Sequence, residues 1–124
     1  HSTSNPCSIS QRAAYTALNK ESKSQIQKMV KEFQLRRDYM LSGLTKIDCL
    51  SCVKPEGAFY VFCNISRTGL NSLIFAQRLL KEVKVAVIPG TAFGRDDYVR
   101  LSFATSRQQI QEGLHRIRGW VEKL

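Results

Sequence analysis

Arg100 and Ser102 are the residues whose types and spacing most directly offer chemistry. They stand two apart in Val99-Arg100-Leu101-Ser102-Phe103-Ala104. Strand side chains project to opposite faces with a period of two. Val99, Leu101 and Phe103 therefore pack inward, and Arg100 and Ser102 are presented on the other face of a rigid element. A planar guanidinium offers paired N–H donors that match a carboxylate. The cysteines Cys7, Cys49, Cys52 and Cys63 form a second set. Cys49-Leu50-Ser51-Cys52 has the C-x-x-C spacing of redox and zinc motifs. It has no second copy, and His1 and His115 lie far away in sequence, so the four ligands of a structural zinc are not assembled and no metal site is expected. Redox chemistry would want the pair at a helix N-terminus, where a thiol pKa falls, whereas residues 47–53 read as a strand. Free thiols, buried or half-buried, in a reducing compartment are the expectation.

The elements that must position these residues follow from periodicity. Beyond a polar opening, a helical signal runs over residues 10–44, broken at Asn19-Lys20-Glu21-Ser22 into two helices. Ile26, Met29, Val30, Phe33, Met40, Leu41 and Leu44 keep the 3–4 spacing of an amphipathic stripe. Arg37 interrupts the stripe and reaches water along its stem, and Gly43 marks the helix end. Residues 47–53 and 58–63 form a hairpin across Lys54-Pro55-Glu56-Gly57, where proline and glycine supply the turn angles. The second strand is apolar on both faces, as an internal strand would be. Asn71 caps a helix to residue 82, and a short strand at 85–88 ends at Pro89-Gly90. After the strand of Arg100, Ser106 and Gln109 make a capping box. It opens a last helix with a stripe of Ile110, Leu114, Ile117, Val121 and Leu124 and with Trp120 at the stripe's edge. The order predicts an α+β two-layer small domain, helices packed on one face of a small, largely antiparallel sheet. The other face is left to meet something else.

Composition agrees. The chain has 124 residues, 43% hydrophobic and 23% charged, enough for one compact domain. No run approaches the roughly 20 apolar residues of a membrane span, and the polar start is no signal peptide. Without an initiator methionine, the chain reads as cut from something larger. Lys and Arg exceed Asp and Glu by 19 to 10, giving +9. Lys20, Lys23, Lys28 and Lys31 share one side of a helix with Glu21 and Glu32, and the other basic residues are scattered. A solvated helix face is expected, with no nucleic acid and no membrane as partner.

Four segments then occur in order: Ser2-Thr3-Ser4-Asn5-Pro6 leading to Gln11; Lys54-Pro55-Glu56-Gly57-Ala58-Phe59-Tyr60; Val87-Ile88-Pro89-Gly90-Thr91-Ala92-Phe93-Gly94; and Tyr98-Val99-Arg100-Leu101-Ser102-Phe103-Ala104-Thr105-Ser106. Together they resemble the C-terminal part of a class I/II aminotransferase of fold type I, pyridoxal-phosphate dependent, most similar to prokaryotic-type aspartate aminotransferases. The likeness spans nearly the whole chain.

The resemblance implies that Arg100 grips the substrate's α-carboxylate and that Phe59 lines the substrate pocket, with a core phenylalanine as the other reading. It implies that Pro89 to Gly94 is a loop bordering the active site, its glycines permitting close backbone approach and a tight turn. One of Ser2, Thr3 and Ser4 would reach across a homodimer toward the substrate's distal carboxylate. Residues 1–18 would end the large domain and residues 19–124 form the C-terminal small domain. Pyridoxal 5'-phosphate would be held by the large domain, because the family's Schiff-base lysine lies upstream and no lysine here stands in the corresponding S-x-x-K context, Lys54, before Pro55, sitting in a turn. Amino acid (aspartate foremost) and 2-oxoacid are the implied substrates. A cytoplasmic location is expected, a plastid or mitochondrial address being upstream if there is one. Two readings compete: a non-catalytic interaction module derived from the small domain, and weak nucleic-acid binding through the +9 charge.

Overall fold

The computed structural model describes residues 4–124, which divide into two compact units, the first ending at Glu32 and the second Phe33–Leu124. In the first unit, helix α1 (Ser8–Leu18) has no buried residue, and Ile9, Tyr15 and Leu18 stand largely in solvent. A single 3-10 turn, Lys20–Ser22, separates it from helix α2 (Lys23–Leu44), at the break expected from Asn19 onward. The first half of the α2 stripe is poorly covered: Met29 and Val30 are exposed. Lys20, Lys23, Lys28 and Lys31 all face solvent.

The second unit holds the core. Strands β1 (Ser51–Cys52), β2 (Tyr60–Asn64), β3 (Ile88–Pro89) and β4 (Tyr98–Ser102) form one sheet of order β1-β2-β4-β3, with every neighbour antiparallel. Helices α3 (Ser72–Val83) and α4 (Arg107–Val121) complete it. Val61, Cys63, Val99 and Leu101 bury one sheet face against Met40 and Leu44 of α2, Phe75 and Leu79 of α3, and Ile110, Ile117 and Val121 of α4. The sheet thus has helices on one side, the α+β arrangement expected. The predicted Asn71 cap forms, its Oδ1 accepting from Ile74 N at 2.9 Å, and of the expected capping box the Ser106 half forms, its Oγ accepting from Gln109 N at 3.2 Å. Each satisfies a backbone donor that the first helical turn leaves without a partner.

The strands are shorter than their apolar runs. The expected strand at 47–53 reduces to Ser51–Cys52, because Ile47 and Leu50 are buried from tight turns that continue off α2, Ile47 N donating to Leu44 O and Leu50 N to Ile47 O. The hairpin with β2 remains, but its connection takes its left-handed residue at Ala58 (φ 60), whereas Gly57 does not have a positive φ. That conformation delays β2 to Tyr60. Val85 and Val87 pack on the core from irregular backbone, so only Ile88–Pro89 pair as strand. Gly43 lies inside α2, against the Leu114 side chain, where a Cβ would collide. Trp120 packs beside the stripe and is buried. Its indole N–H donates to Glu82 Oε2 at 2.6 Å, and its ring meets Phe75 edge-on at 5.1 Å. Leu124, expected in the stripe, is exposed.

Candidate functional site

The register of the two central strands builds the uncovered face. Tyr60 pairs with Ser102, Phe62 with Arg100, and Asn64 with Tyr98. Alternation places all six on the side away from the helices, where they are half-buried or exposed. β3 closes the far side, Ile88 standing opposite Arg100. Arg100 is therefore on the face that its alternation with Val99 and Leu101 predicts.

Its surroundings are aromatic. The guanidinium carbon lies 5.1 Å from the ring centre of Tyr60 and 4.9 Å from that of Phe93. Ring faces attract a cation while leaving its N–H edge free. Phe62 stacks on Tyr98 at 4.7 Å and meets Phe93 edge-on at 6.0 Å, so these three rings support one another. Phe59 touches Tyr60 edge-on at 6.0 Å and is about half exposed, so it is no core phenylalanine. Ser102, paired with Arg100 in the sequence pattern, donates its hydroxyl to Phe59 O and accepts from Ala104 N, so it braces the local backbone.

Phe93 reaches this face from a loop pinned at several points. Gly90 is buried where a Cβ would run into the carbonyl oxygens of Arg95 and Tyr98, and Gly94 turns the chain with φ 77. Both roles expected of these glycines are present. Ser72, fully buried at the start of α3, donates its N–H and hydroxyl to Asp96 Oδ1, while its hydroxyl oxygen accepts from Thr91 N. The loop is thereby tied to the core.

A second arginine gives the contrast. Arg95 stacks on Tyr98 at 4.5 Å and grips Asp97 with two parallel hydrogen bonds of 2.9 and 2.7 Å. Those bonds hold the Asp97 carboxyl below its ordinary pKa and raise that of Arg95. Among the described residues no carboxylate holds Arg100 in this way. Arg95 shows the fork filled by a carboxylate; Arg100 offers the same fork to an incoming one.

Ser4 is exposed in a bend of the first unit, and Ser2 and Thr3 lie outside the described residues. The ring of Tyr60 beside Arg100 is missed by reading 58–63 as apolar on both faces. The signal was there, since the large rings of Tyr60 and Phe62 alternate with Val61 and Cys63. An open concavity of about 780 Å³ lies elsewhere, between Ile9, Ala13, Ala17 and Ile26 of the first unit, with an almost wholly apolar lining. No three His, Cys, Asp or Glu side chains converge as metal ligands among the described residues. The described residues also fit no pyridoxal phosphate: every lysine is exposed to solvent and none projects into an enclosed site. What these residues can do is bind and orient a carboxylate.

Comparison with known proteins places this geometry. The sequence profile of the family "Aminotransferase class I and II" matches residues 1–117. The "Probable aspartate/prephenate aminotransferase" of Rickettsia typhi is 47% identical over 94% of the chain and 32% of its own length. The "Aspartate aminotransferase" of Bacillus subtilis is 42% identical over 99% of the chain, again 32% of its own length. The crystal structure of the aspartate aminotransferase from Rhizobium meliloti superposes with a TM-score of 0.87 at 38% identity, covering 98% of this chain and 33% of that one. The chain thus spans about a third of the length of the relatives it matches. With four motifs in order, a matched profile and a shared fold, this chain belongs to the class I and II aminotransferases.

Proposed function

We propose that this chain is the C-terminal segment of an aminotransferase that passes an amino group from an amino acid, aspartate foremost, to a 2-oxoacid, and that Arg100 is its clamp for the substrate's α-carboxylate. The observation that carries the reading is half-buried Arg100, its guanidinium against the rings of Tyr60 and Phe93 and held by no carboxylate among the described residues, in contrast to Arg95, whose fork Asp97 fills. Two parallel hydrogen bonds fix a carboxylate's plane as well as its charge. Holding the amino acid by that end leaves its Cα pointing one way, which is the entropic part of the catalysis. The aromatic rings lower the local polarity and strengthen the pairing by keeping water off one side. Phe59 would border the pocket, and one of Ser2, Thr3 and Ser4 would serve the partner site of a homodimer.

The family in general depends on pyridoxal phosphate. In this reading the group and its Schiff-base lysine belong to residues upstream of His1, and residues 1–18 end the large domain. Domain closure would bring Arg100 onto the substrate. The exposed Ile9, Tyr15 and Leu18 of α1 support the reading, since apolar side chains this open call for a covering surface. The same exposure favours a second reading, a non-catalytic interaction module. Translation in frame upstream of His1 separates them. Continuation into a large domain with a lysine in an S-x-x-K context supports the aminotransferase; a start codon just before His1 supports the module. Transamination by residues 1–124 alone with added pyridoxal phosphate, lost on Arg100→Ala, would contradict the assignment of the cofactor site to other residues.

A further inference from the structure

The spacing of the sequence pairs Cys52 with Cys49, but the sheet pairs it with Cys63. Cys52 and Cys63 are directly opposite one another in the β1–β2 ladder. Opposed residues of an antiparallel pair have Cα atoms about 4.5 or 5.5 Å apart and side chains on the same face. Both separations fall within the roughly 4.4–6.8 Å that a disulfide spans. Cys49, by contrast, sits outside the strand, in the turn that precedes it. We propose that Cys52 and Cys63 form a redox modification site, a cross-strand dithiol that a low-molecular-weight disulfide such as oxidised glutathione converts to an intramolecular disulfide.

The two thiols are unequal, and the inequality sets the order of events. Cys63 is buried, whereas Cys52 is partly open on the two-residue edge strand. The Cys63 S–H donates to Asn64 O at 3.7 Å; the neighbouring Cys63 side chain lowers the Cys52 pKa, and the nearness of Cys52, with burial, raises that of Cys63. Cys52 is then the attacking thiolate. It displaces one glutathione thiolate from the oxidised dimer and becomes a mixed disulfide. The Cys63 thiol loses its proton to solvent as its sulfur attacks Cys52 Sγ and expels the second glutathione thiolate. Two cysteine thiols are oxidised, one glutathione disulfide is reduced to two thiols, and the chain loses two hydrogens. The new bond ties the edge strand to β2, which carries Tyr60 and Phe62 on its other face.

The test uses the native protein with Cys7→Ser, which removes the exposed thiol. It is incubated with oxidised glutathione, trapped with N-ethylmaleimide and mapped by mass spectrometry after digestion. The expected product is a Cys52–Cys63 linked peptide pair, with Cys49 alkylated. Adding Cys63→Ser should strand Cys52 as a glutathione mixed disulfide. Adding Cys52→Ser should leave Cys63 unmodified, and the oxidised parent should unfold about 5 °C or more above the reduced one. A Cys49–Cys52 link, a persistent mixed disulfide on Cys52 with Cys63 present, or full alkylation of all three thiols after incubation would each overturn the proposal.

Discussion

The two faces of the sheet are made by the same two strands and differ in nearly every physical respect. On the helix side, Val61, Cys63, Val99 and Leu101 are small or branched apolar residues under three helices, each at most 6% exposed. On the other side, Tyr60, Phe62, Tyr98 and Arg100 are large, flat or charged, and remain half open. The first face is close-packed and its energy is that of burial. The second holds its members by stacking, which fixes ring planes and a guanidinium without using the guanidinium's donors. The difference teaches that period-two alternation divides labour within a strand, one set of residues closing the core and the other building an open aromatic face around Arg100.

The sharpest way to break this division is to empty the core. Phe75→Ala, under the helix-side face, should cost about 3–5 kcal/mol in denaturant unfolding, and a smaller loss would show that the core does not carry the stability. Gly90→Ala comes next. Its Cβ would meet the carbonyl oxygens of Arg95 and Tyr98, so a cost of about 1–3 kcal/mol is expected, with the loop of Phe93 displaced. Phe93→Leu removes one plank at Arg100 while keeping bulk. It should weaken carboxylate binding about 2- to 5-fold, as befits a cation–π contact of about 0.5–1 kcal/mol, and shift the unfolding midpoint little.

The smallest effect concerns acid. Arg78 and then Trp120 hydrogen-bond Glu82 and depress its pKa, and Arg95 does the same for Asp97. A carboxyl depressed in the folded state contributes stability above its unfolded pKa of about 4.3 for Glu or 3.9 for Asp, lost as pH falls through the lower folded value. Both pairs are exposed and screened. Unfolding midpoints should therefore fall slightly between about pH 5 and pH 2, and Glu82→Gln should reduce that slope.

Much of this was legible in the sequence, and the limits have physical causes. The side-chain caps of Asn71 and Ser106 were readable because each is a local bond within one turn, and each accepts the backbone N–H three residues on. The placement of Arg100 followed from alternation with Val99 and Leu101, whose burial overrides other local preferences. The extent of β1 was not readable. Ile47 and Leu50 are apolar because they close turns onto the core, and period alone does not separate a buried turn from a buried strand. The partners of Arg100 also lay beyond local pattern. Phe62 stands 38 residues before it in sequence, opposite it in the ladder, and the ring of Phe93 arrives on a loop whose path depends on Ser72 and Asp96. Pairing register and loop anchoring are tertiary facts. The link of Cys52 to Cys63 was hidden for the same reason, behind a nearer cysteine at a suggestive spacing.

The central claim is that the open face works through Arg100. Steady-state kinetics on the whole enzyme that contains this segment, comparing Arg100→Ala with Arg95→Ala and following the unfolding midpoint of each, tests it most directly. Arg100→Ala should lower kcat/KM for the amino acid about 30- to 100-fold, the worth of hydrogen bonds to a charged group, with the midpoint nearly unmoved. Arg95→Ala should do the reverse, lowering the midpoint by freeing Asp97 and leaving kcat/KM within a few-fold. An Arg100→Ala enzyme with unchanged kcat/KM would contradict the account.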